Sequence, residues 1–382
     1  MSTQTLTAKP DFARLSRALP FWFSLLLVPL AVVAAVYGGW TIALLPVVTW
    51  YLFAALDAVL GEDTVNIDPN TGASHLFWYR LVTLVWAPLQ CVTVFGILWY
   101  VTSTGHLGRI EEWALFAALG ILSGTVGINY SHELMHQKPK IERWMADILL
   151  AMVLYSHFRS EHLQVHHRYV ATPRDPVTAR FNEGFHRYFL RVLTSCPGSA
   201  FRAERAMLAR KGRPVWDLAN PFWRYGALQL GFLALAFGIG GLWGLFLFSV
   251  QAFWAVFQLE LVNYVEHYGL TRKHLGDGKY EHVKPHHSWN SAQRASNWLL
   301  INLQRHSDHH FKPDRRFPLL QNHDADSAPQ LPYGYPVMTV AALIPPLWRR
   351  VMNHRVKAWR RTHYPEIKDW QPYNHAANPL PR

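Results

Sequence analysis

Apolar and polar positions along this chain fall into long blocks, not the short alternations of a soluble sheet or bundle. Six blocks reach roughly the 20 apolar residues that an α-helix needs to cross a ~30 Å hydrocarbon layer. They are residues 21–40, 41–60, 81–102, 113–131, 225–242 and 243–267. The first two meet at Gly38-Gly39 and the last two at GIGGLWG, residues 238–244, so each pair predicts a hairpin. A seventh block, DILLAMVLYSHF at 147–158, has 12 residues. At 1.5 Å per residue it covers roughly 18 Å and cannot cross, so it is expected to tuck into one leaflet. PVMTVAALIPPLW, 336–348, is interrupted by a Pro pair and reads as another surface-lying segment. The last 30 residues, rich in His, Pro and Trp, look peripheral.

Composition agrees with a membrane protein: half of the 382 residues are apolar, with 17 Trp, 16 Tyr and 21 Phe. The first apolar block runs on into the second without a cleavage site, which predicts a retained anchor and not a removed signal peptide. Charge then assigns sides. With a cytoplasmic N-terminal segment (1–20), four crossings return the chain at His132 and two more return it at His267. Fifteen Lys and Arg then fall in 137–224 and 17 in 268–382, against Arg109 alone in an outer loop. This is a positive-inside pattern. It accounts for the net charge of +12 without nucleic acid, for which no binding motif is present. The expected fold is an all-α integral membrane protein of six transmembrane helices with a cytoplasmic histidine-rich cap. Its parts are 1–20; helices one to four with the first histidine stretch, 21–136; a cytoplasmic segment, 137–224; helices five and six, 225–267; and a cytoplasmic C-terminal segment, 268–382.

That topology brings four histidine-bearing stretches to one side of the membrane. SHELMHQK places His132 and His136 one helical turn apart. SEHLQVHHRYV repeats the spacing with His162 and His166 and adds His167. LQRHSDHHFKP carries His306, His309 and His310, and NYVEHYGL carries His267. Nine imidazoles exceed the three or four ligands of a zinc site and suit two first-row ions with open positions, so the cap is expected to hold a dimetal site. Two irons that activate dioxygen are the economical choice, although imidazole alone leaves copper and zinc open. The two cysteines, Cys91 and Cys196, form no CxxC pair, so no thiolate centre is encoded. The other twelve histidines, including His157, His286 and His287, are set aside as non-ligands. Glu133, Glu161, Glu266 and Asp308 stand beside the histidines and are candidates to orient their rings from outside the metal. Asp57, Asn129, Glu260 and Asn263 lie deep in apolar blocks, where polar groups are costly, and are expected to face the bundle interior in supporting roles.

HELMH, EHLQVHH, NYVEHYGL and LQRHSDHH, in this order and within six spans, resemble the membrane-bound alkane 1-monooxygenases, bacterial rubredoxin-dependent alkane hydroxylases. The resemblance runs over roughly residues 20–320. The three-box pattern alone is shared with fatty-acid desaturases and with sterol or carotenoid hydroxylases, whereas NYVEHYGL and LQRHSDHH favour the alkane hydroxylases. The resemblance implies that His132, His136, His162, His166, His167, His267, His306, His309 and His310 bind a non-haem di-iron centre. It implies terminal hydroxylation of medium-chain n-alkanes with O2, without haem, flavin or bound nicotinamide. Electrons would come from a separate rubredoxin served by a reductase, since no CxxC-type pairs are present for a fused one. The location would be the bacterial inner membrane, with both termini and the metal site cytoplasmic.

An alkane offers no hydrogen bond, so only the shape of an apolar tunnel can orient it. Trp50, Leu52, Phe53, Trp254 and Phe257 are candidates for that lining. Two other activities compete: desaturation, and hydroxylation of another apolar substrate such as an alkylbenzene methyl or an acyl chain. A metal transporter would string polar residues across several spans. Here they gather at one side, and residues 81–102 carry no charge at all.

Overall fold

The computed structural model describes residues 15–379. Residues 1–14 of the expected cytoplasmic N-terminal segment lie outside that range. Among the described residues, five helices are long and apolar enough to cross a membrane. They are α1 (Leu15–Tyr37), α2 (Gly39–Leu60), α3 (Ala73–Thr104), α4 (Arg109–Met135) and a 47-residue run, Pro221–His267. Apart from one small hairpin, β1 (His274–Gly276) with β2 (Lys279–Tyr280), the regular structure among the described residues is helical.

The 47-residue run, numbered α8 in chain order, is not one rod. Gly240 and Gly241 leave helical geometry, Gly241 with φ 59° and ψ −147°, a conformation closed to residues with a Cβ. Phe95 stacks on Phe232 at 5.6 Å and on Phe248 at 5.3 Å. In a straight helix those two rings would sit about 24 Å apart. The run therefore folds back on itself at the glycines, as GIGGLWG predicts.

α4 occupies the centre, with every residue from Leu115 to Met135 buried. Its glycines let α8 approach closely. A Cβ on Gly120 would come within 2.5 Å of the Gln251 carbonyl oxygen, and one on Gly124 within 2.6 Å of that of Ala255. Longer side chains here would force the two helices apart, and with them His132 and His267 at their ends.

Three segments differ from expectation. The first half of the block at 147–158 ends α5 (Lys140–Met152), whose Ala146, Leu149, Leu150 and Met152 are fully buried against protein, and the rest turns into the next helix at Phe158. α5 docks on the end of α4, where Ser131 Oγ donates to the Ala146 carbonyl at 3.0 Å. The two prolines near 345 do not break a surface segment. They open a new helix after α11 (Tyr335–Ala342), since proline suits a first turn where no N–H is needed. That new helix, α12 (Pro345–His363), is built into the fold, because Trp348, Met352, Val356 and Trp359 form a buried stripe at helical spacing. The C-terminal segment is thus packed structure, not periphery. Between these lie α6 (residues 158–169), α7 (Phe185–Arg210), α9 (Arg294–Leu299) and α10 (His306–Phe311).

Candidate metal centre

Four elements deliver the histidines. The end of α4 presents His132 and His136, α6 presents His162, His166 and His167, α8 ends on His267, and α10 carries His306, His309 and His310. α6 passes through a π-turn at His162–His166, a local widening that often marks functional sites. Ahead of α10, Ile301 and Asn302 both adopt left-handed backbone, φ 48° and 59°. Neither is glycine, so the turn holds strain that its surroundings must sustain. Asn302 supplies part of that support through Nδ2, which donates to the Phe317 carbonyl at 3.0 Å. Arg305, buried, fixes the same turn by donating to the carbonyls of Asp63, Val65 and Leu320.

The ring nitrogens gather into two clusters. His132, His136, His162 and His309 place ligand atoms within 4.8 Å of one another, and so do His166, His267, His306 and His310. His167 joins the first group: its Nε2 lies 2.9 Å from that of His162 and 3.3 Å from that of His136, while His162 and His136 are 3.0 Å apart. A hydrogen bond needs one donor and one acceptor, and three mutually adjacent Nε2 atoms cannot pair in that way all round. A cation between them removes the conflict. Two nitrogens at right angles around an ion, each roughly 2.1 Å from it, stand about 3 Å apart. The second cluster shows the same spacing, His306 Nε2 lying 3.1 Å from His267 Nε2 and 3.0 Å from His310 Nε2. Burial, and then the neighbouring imidazoles, push His162, His167, His309 and His310 well below the ordinary histidine range, which leaves neutral rings with lone pairs to give.

Around the clusters, His166 Nδ1 donates to Asp175 Oδ2 at 2.9 Å. That assigns the proton to Nδ1 and leaves Nε2 facing the cluster. Asp175 is itself fixed by the Val177 N–H and the Thr178 hydroxyl. The sequence reading did not include it, because nothing in RDPVT marks an aspartate eight residues beyond His167 as its neighbour's partner. The Glu266 carboxylate stands 3.3 Å from Nδ1 of His306, a histidine of another stretch. Glu260 accepts from Tyr155, Tyr188 and Asn263. Both Glu161 oxygens are buried without a hydrogen-bond partner among the described residues. Glu133 accepts from Gln137 and from the Phe317 N–H, and Asp308 holds Arg315 in a two-oxygen grip. Asn129 donates to the Leu300 carbonyl, and Asp57 accepts from the Ser296 N–H of α9.

A narrow cavity of about 30 Å³ touches both clusters. Gly124, Thr125, Phe158 and Val262 line it together with His132, His162 and His306, and Asn129, Asn263 and Glu266 reach it as well. None of Trp50, Leu52, Phe53, Trp254 or Phe257 lines this space. Leu52 is exposed on the bundle's outer side, Phe53 is buried, and the other three are half-buried.

Glu281, His286 and His287 form a third group close enough for a metal. Its hydrogen bonds are of another kind. The Lys284 N–H donates to His287 Nδ1 at 3.0 Å, which places the ring proton on Nε2, and Nε2 donates to the Tyr364 hydroxyl at 2.7 Å. Tyr364 in turn donates to Glu281. His287, Tyr364 and Glu281 are thus joined in a chain of hydrogen bonds.

Two membrane-length helices, α4 and α8, and two short ones, α6 and α10, gather nine imidazoles into two adjoining buried clusters, the arrangement of a membrane protein with a metal site. Residues 111–342 match the family model described as fatty acid desaturase. Alkane 1-monooxygenase 1 of Alcanivorax borkumensis is 39% identical over 326 residues, 84% of this chain and 80% of that protein. Alkane 1-monooxygenase of Ectopseudomonas oleovorans is 39% identical over 329 residues, again 84% and 80%. Alkane 1-monooxygenase 1 of Pseudomonas aeruginosa is 40% identical over 314 residues, 80% of each chain. The chain belongs to the alkane 1-monooxygenase family, within the wider fatty acid desaturase family.

Proposed function

We propose that this protein hydroxylates the terminal methyl group of medium-chain n-alkanes, with O2 and two external electrons, at a di-iron centre. The observation that carries the reading is the pair of imidazole clusters meeting at one apolar cavity, in a chain of this family. His132, His136, His162, His167 and His309 hold one ion, and His166, His267, His306 and His310 the other. When bound, the irons supply the activation of O2 that an unactivated C–H bond requires. The chain's own work is to place and shield. Gly124, Phe158 and Val262 give an alkane no polar anchor, so shape alone orients it. At about 30 Å³ the cavity is far below the volume of a bound chain, so the substrate enters by displacing side chains such as Phe158. A narrow passage that admits one end of a chain favours attack at that end.

Two arms of α8, each crossing, bring the membrane spans to six. The basic segments 137–224 and 268–382 then face the cytoplasm, with the site on that side of the inner membrane. The donor is a separate rubredoxin, reduced by its own reductase. Arg168, Arg174, Arg202 and Arg210 support this reading: they line a cavity of about 600 Å³ beside Leu163, Gln164 and Val165 of α6, and no carboxylate shares the lining. A cationic recess against a ligand-bearing helix suits an acidic redox protein.

The test is product analysis. Membranes containing the chain are supplied with rubredoxin, its reductase, NADH, O2 and n-octane, and the extract is examined by gas chromatography and mass spectrometry. A 1-octanol peak that requires both rubredoxin and O2 is expected. Iron-loaded protein that yields an unsaturated product, or hydroxylates only acyl chains or alkylbenzenes, would overturn the assignment.

A further inference from the structure

Away from the histidines, a second cavity of about 540 Å³ lies between the start of α7 and the C-terminal segment, lined among others by Arg180, Arg187, Arg360, Lys368 and Trp370. Arg360, on α12, is only 8% exposed. Its guanidinium is held between two rings, 4.6 Å from the centroid of Phe181 and 4.3 Å from that of Trp370. Such stacking fixes the plane of the fork and leaves its N–H edges to be used. Yet Nε and Nη2 of Arg360 have no hydrogen-bond partner among the described residues.

Those two atoms form one edge of the guanidinium, the edge that grips a carboxylate or phosphate through two parallel hydrogen bonds. The same molecule shows the grip completed nearby. Arg191 donates from Nε to Glu183 Oε1 at 2.8 Å and from Nη2 to Glu183 Oε2 at 2.7 Å. Glu183 also borders the cavity, but its oxygens are taken by Arg191 and by the Arg180 N–H. Asp369 borders it too, with Oδ1 accepting from the Gln371 N–H. Burial pushes Arg360 down to about 10, which leaves it charged at neutral pH. A buried cation with two unpaired donors is costly unless an anion lies against it.

We infer that this cavity is a binding site for a phosphate group, held by the guanidinium of Arg360 and neutralised by Arg180, Arg187 and Lys368. The phosphate belongs either to a soluble phosphate compound or to an anionic lipid headgroup. The inference does not depend on the reaction at the histidine clusters.

Two arms distinguish the sources, both on full-length, iron-loaded protein. In the first, inorganic phosphate is titrated by calorimetry against wild type, Arg360→Gln, Arg360→Lys and Lys368→Gln in detergent. Wild type is expected to bind, with affinity reduced roughly tenfold or more in Arg360→Gln and also in Arg360→Lys, which keeps charge but loses the fork. Lys368 is exposed, so Lys368→Gln folds normally and gives a smaller loss even if Arg360 variants fail to fold. In the second arm, native mass spectrometry counts phosphatidylglycerol retained from mixed phosphatidylglycerol and phosphatidylcholine nanodiscs. Retention lost in the same variants identifies a lipid headgroup, and phosphate binding without it identifies a soluble ligand. Should neither probe separate wild type from Arg360→Gln or Lys368→Gln, the site does not exist.

Discussion

Nδ1 of His166 donates to Oδ2 of Asp175 at 2.9 Å, and both side chains are buried. The contact fixes which nitrogen of His166 carries the proton and how the ring is turned. Removing such a partner typically lowers metal affinity or activity about 10- to 100-fold. Asp175→Ala is therefore expected to lower octanol formation by that order while the protein still inserts and folds. Iron content, measured by mass spectrometry on the purified variant, is expected to fall as well. Unchanged iron content and unchanged turnover would show that Asp175 plays no part in orienting His166.

His166 and His309 sit in different clusters, 132/136/162/309 and 166/267/306/310. If both ions are needed for one reaction, loss of either ligand abolishes alcohol formation, and the double variant is no worse than the single ones. His166→Ala and His309→Ala are each expected to reduce 1-octanol at least about 100-fold, with the amount of protein in the membrane fraction unchanged. Normal turnover in both variants would remove these residues from the site.

How much of this was legible depended on whether the signal was local. The meeting of the eight boxed histidines could be read because residues spaced three or four apart on a helix share a face, whereas His267 stands alone in its stretch; the α8 reversal could be read because two adjacent glycines interrupt an apolar run. Span lengths were read short: α3 runs over Ala73–Thr104, not 81–102, because Arg80 ends the apolar run without ending the helix. Arg80 stays inside by pairing with Glu142 at 2.7 Å. Asp175 was not legible, since its relation to His166 is made through space by an irregular loop. Nor were the cavity residues, because whether a bulky side chain faces substrate, protein or lipid depends on helix rotation, which hydropathy does not encode. The stripe Trp348, Met352, Val356 and Trp359 was there to be read, but the arginines between these residues hid it.

The contact between α4 and α8 gives a test of packing that touches no ligand. A Cβ at Gly124 would lie 2.6 Å from the Ala255 carbonyl oxygen and 2.8 Å from Gln258 Cβ. Neither backbone can yield without parting the helices, so Gly124→Ala is expected to cost about 1–3 kcal/mol. Gly124→Val is expected to cost more and to suppress activity out of proportion to stability, because Gly124 also borders the cavity. Thermal unfolding in detergent, run beside the octane assay, separates the two effects. Wild-type stability in Gly124→Val would mean that the helices are not in this contact.

Acid should loosen the C-terminal packing. In the folded protein burial lowers His287 from 6.5 to about 4 and, with the neighbouring His287 and His363 charges, lowers His286 to about 3. Both are neutral in the fold at a pH where the unfolded chain has taken up protons. The stability they lend is full above about 6.5 and is lost as pH falls from there towards 4. Glu281 opposes its own burial through His287, Tyr364 and the Lys273 N–H, and is held below the usual carboxylate range. Its contribution is present above about 4.5 and is lost below that, so it acts in the same sense. Protection from hydrogen exchange across 279–287 and 359–373, taken relative to the intrinsic amide rate at each pH, is therefore expected to fall steeply between pH 6.5 and 5. Tyr364→Phe, which removes the acceptor for His287 and the donor to Glu281, is expected to raise exchange already at pH 7.5. Protection independent of pH across that window would mean that these side chains are not joined as described.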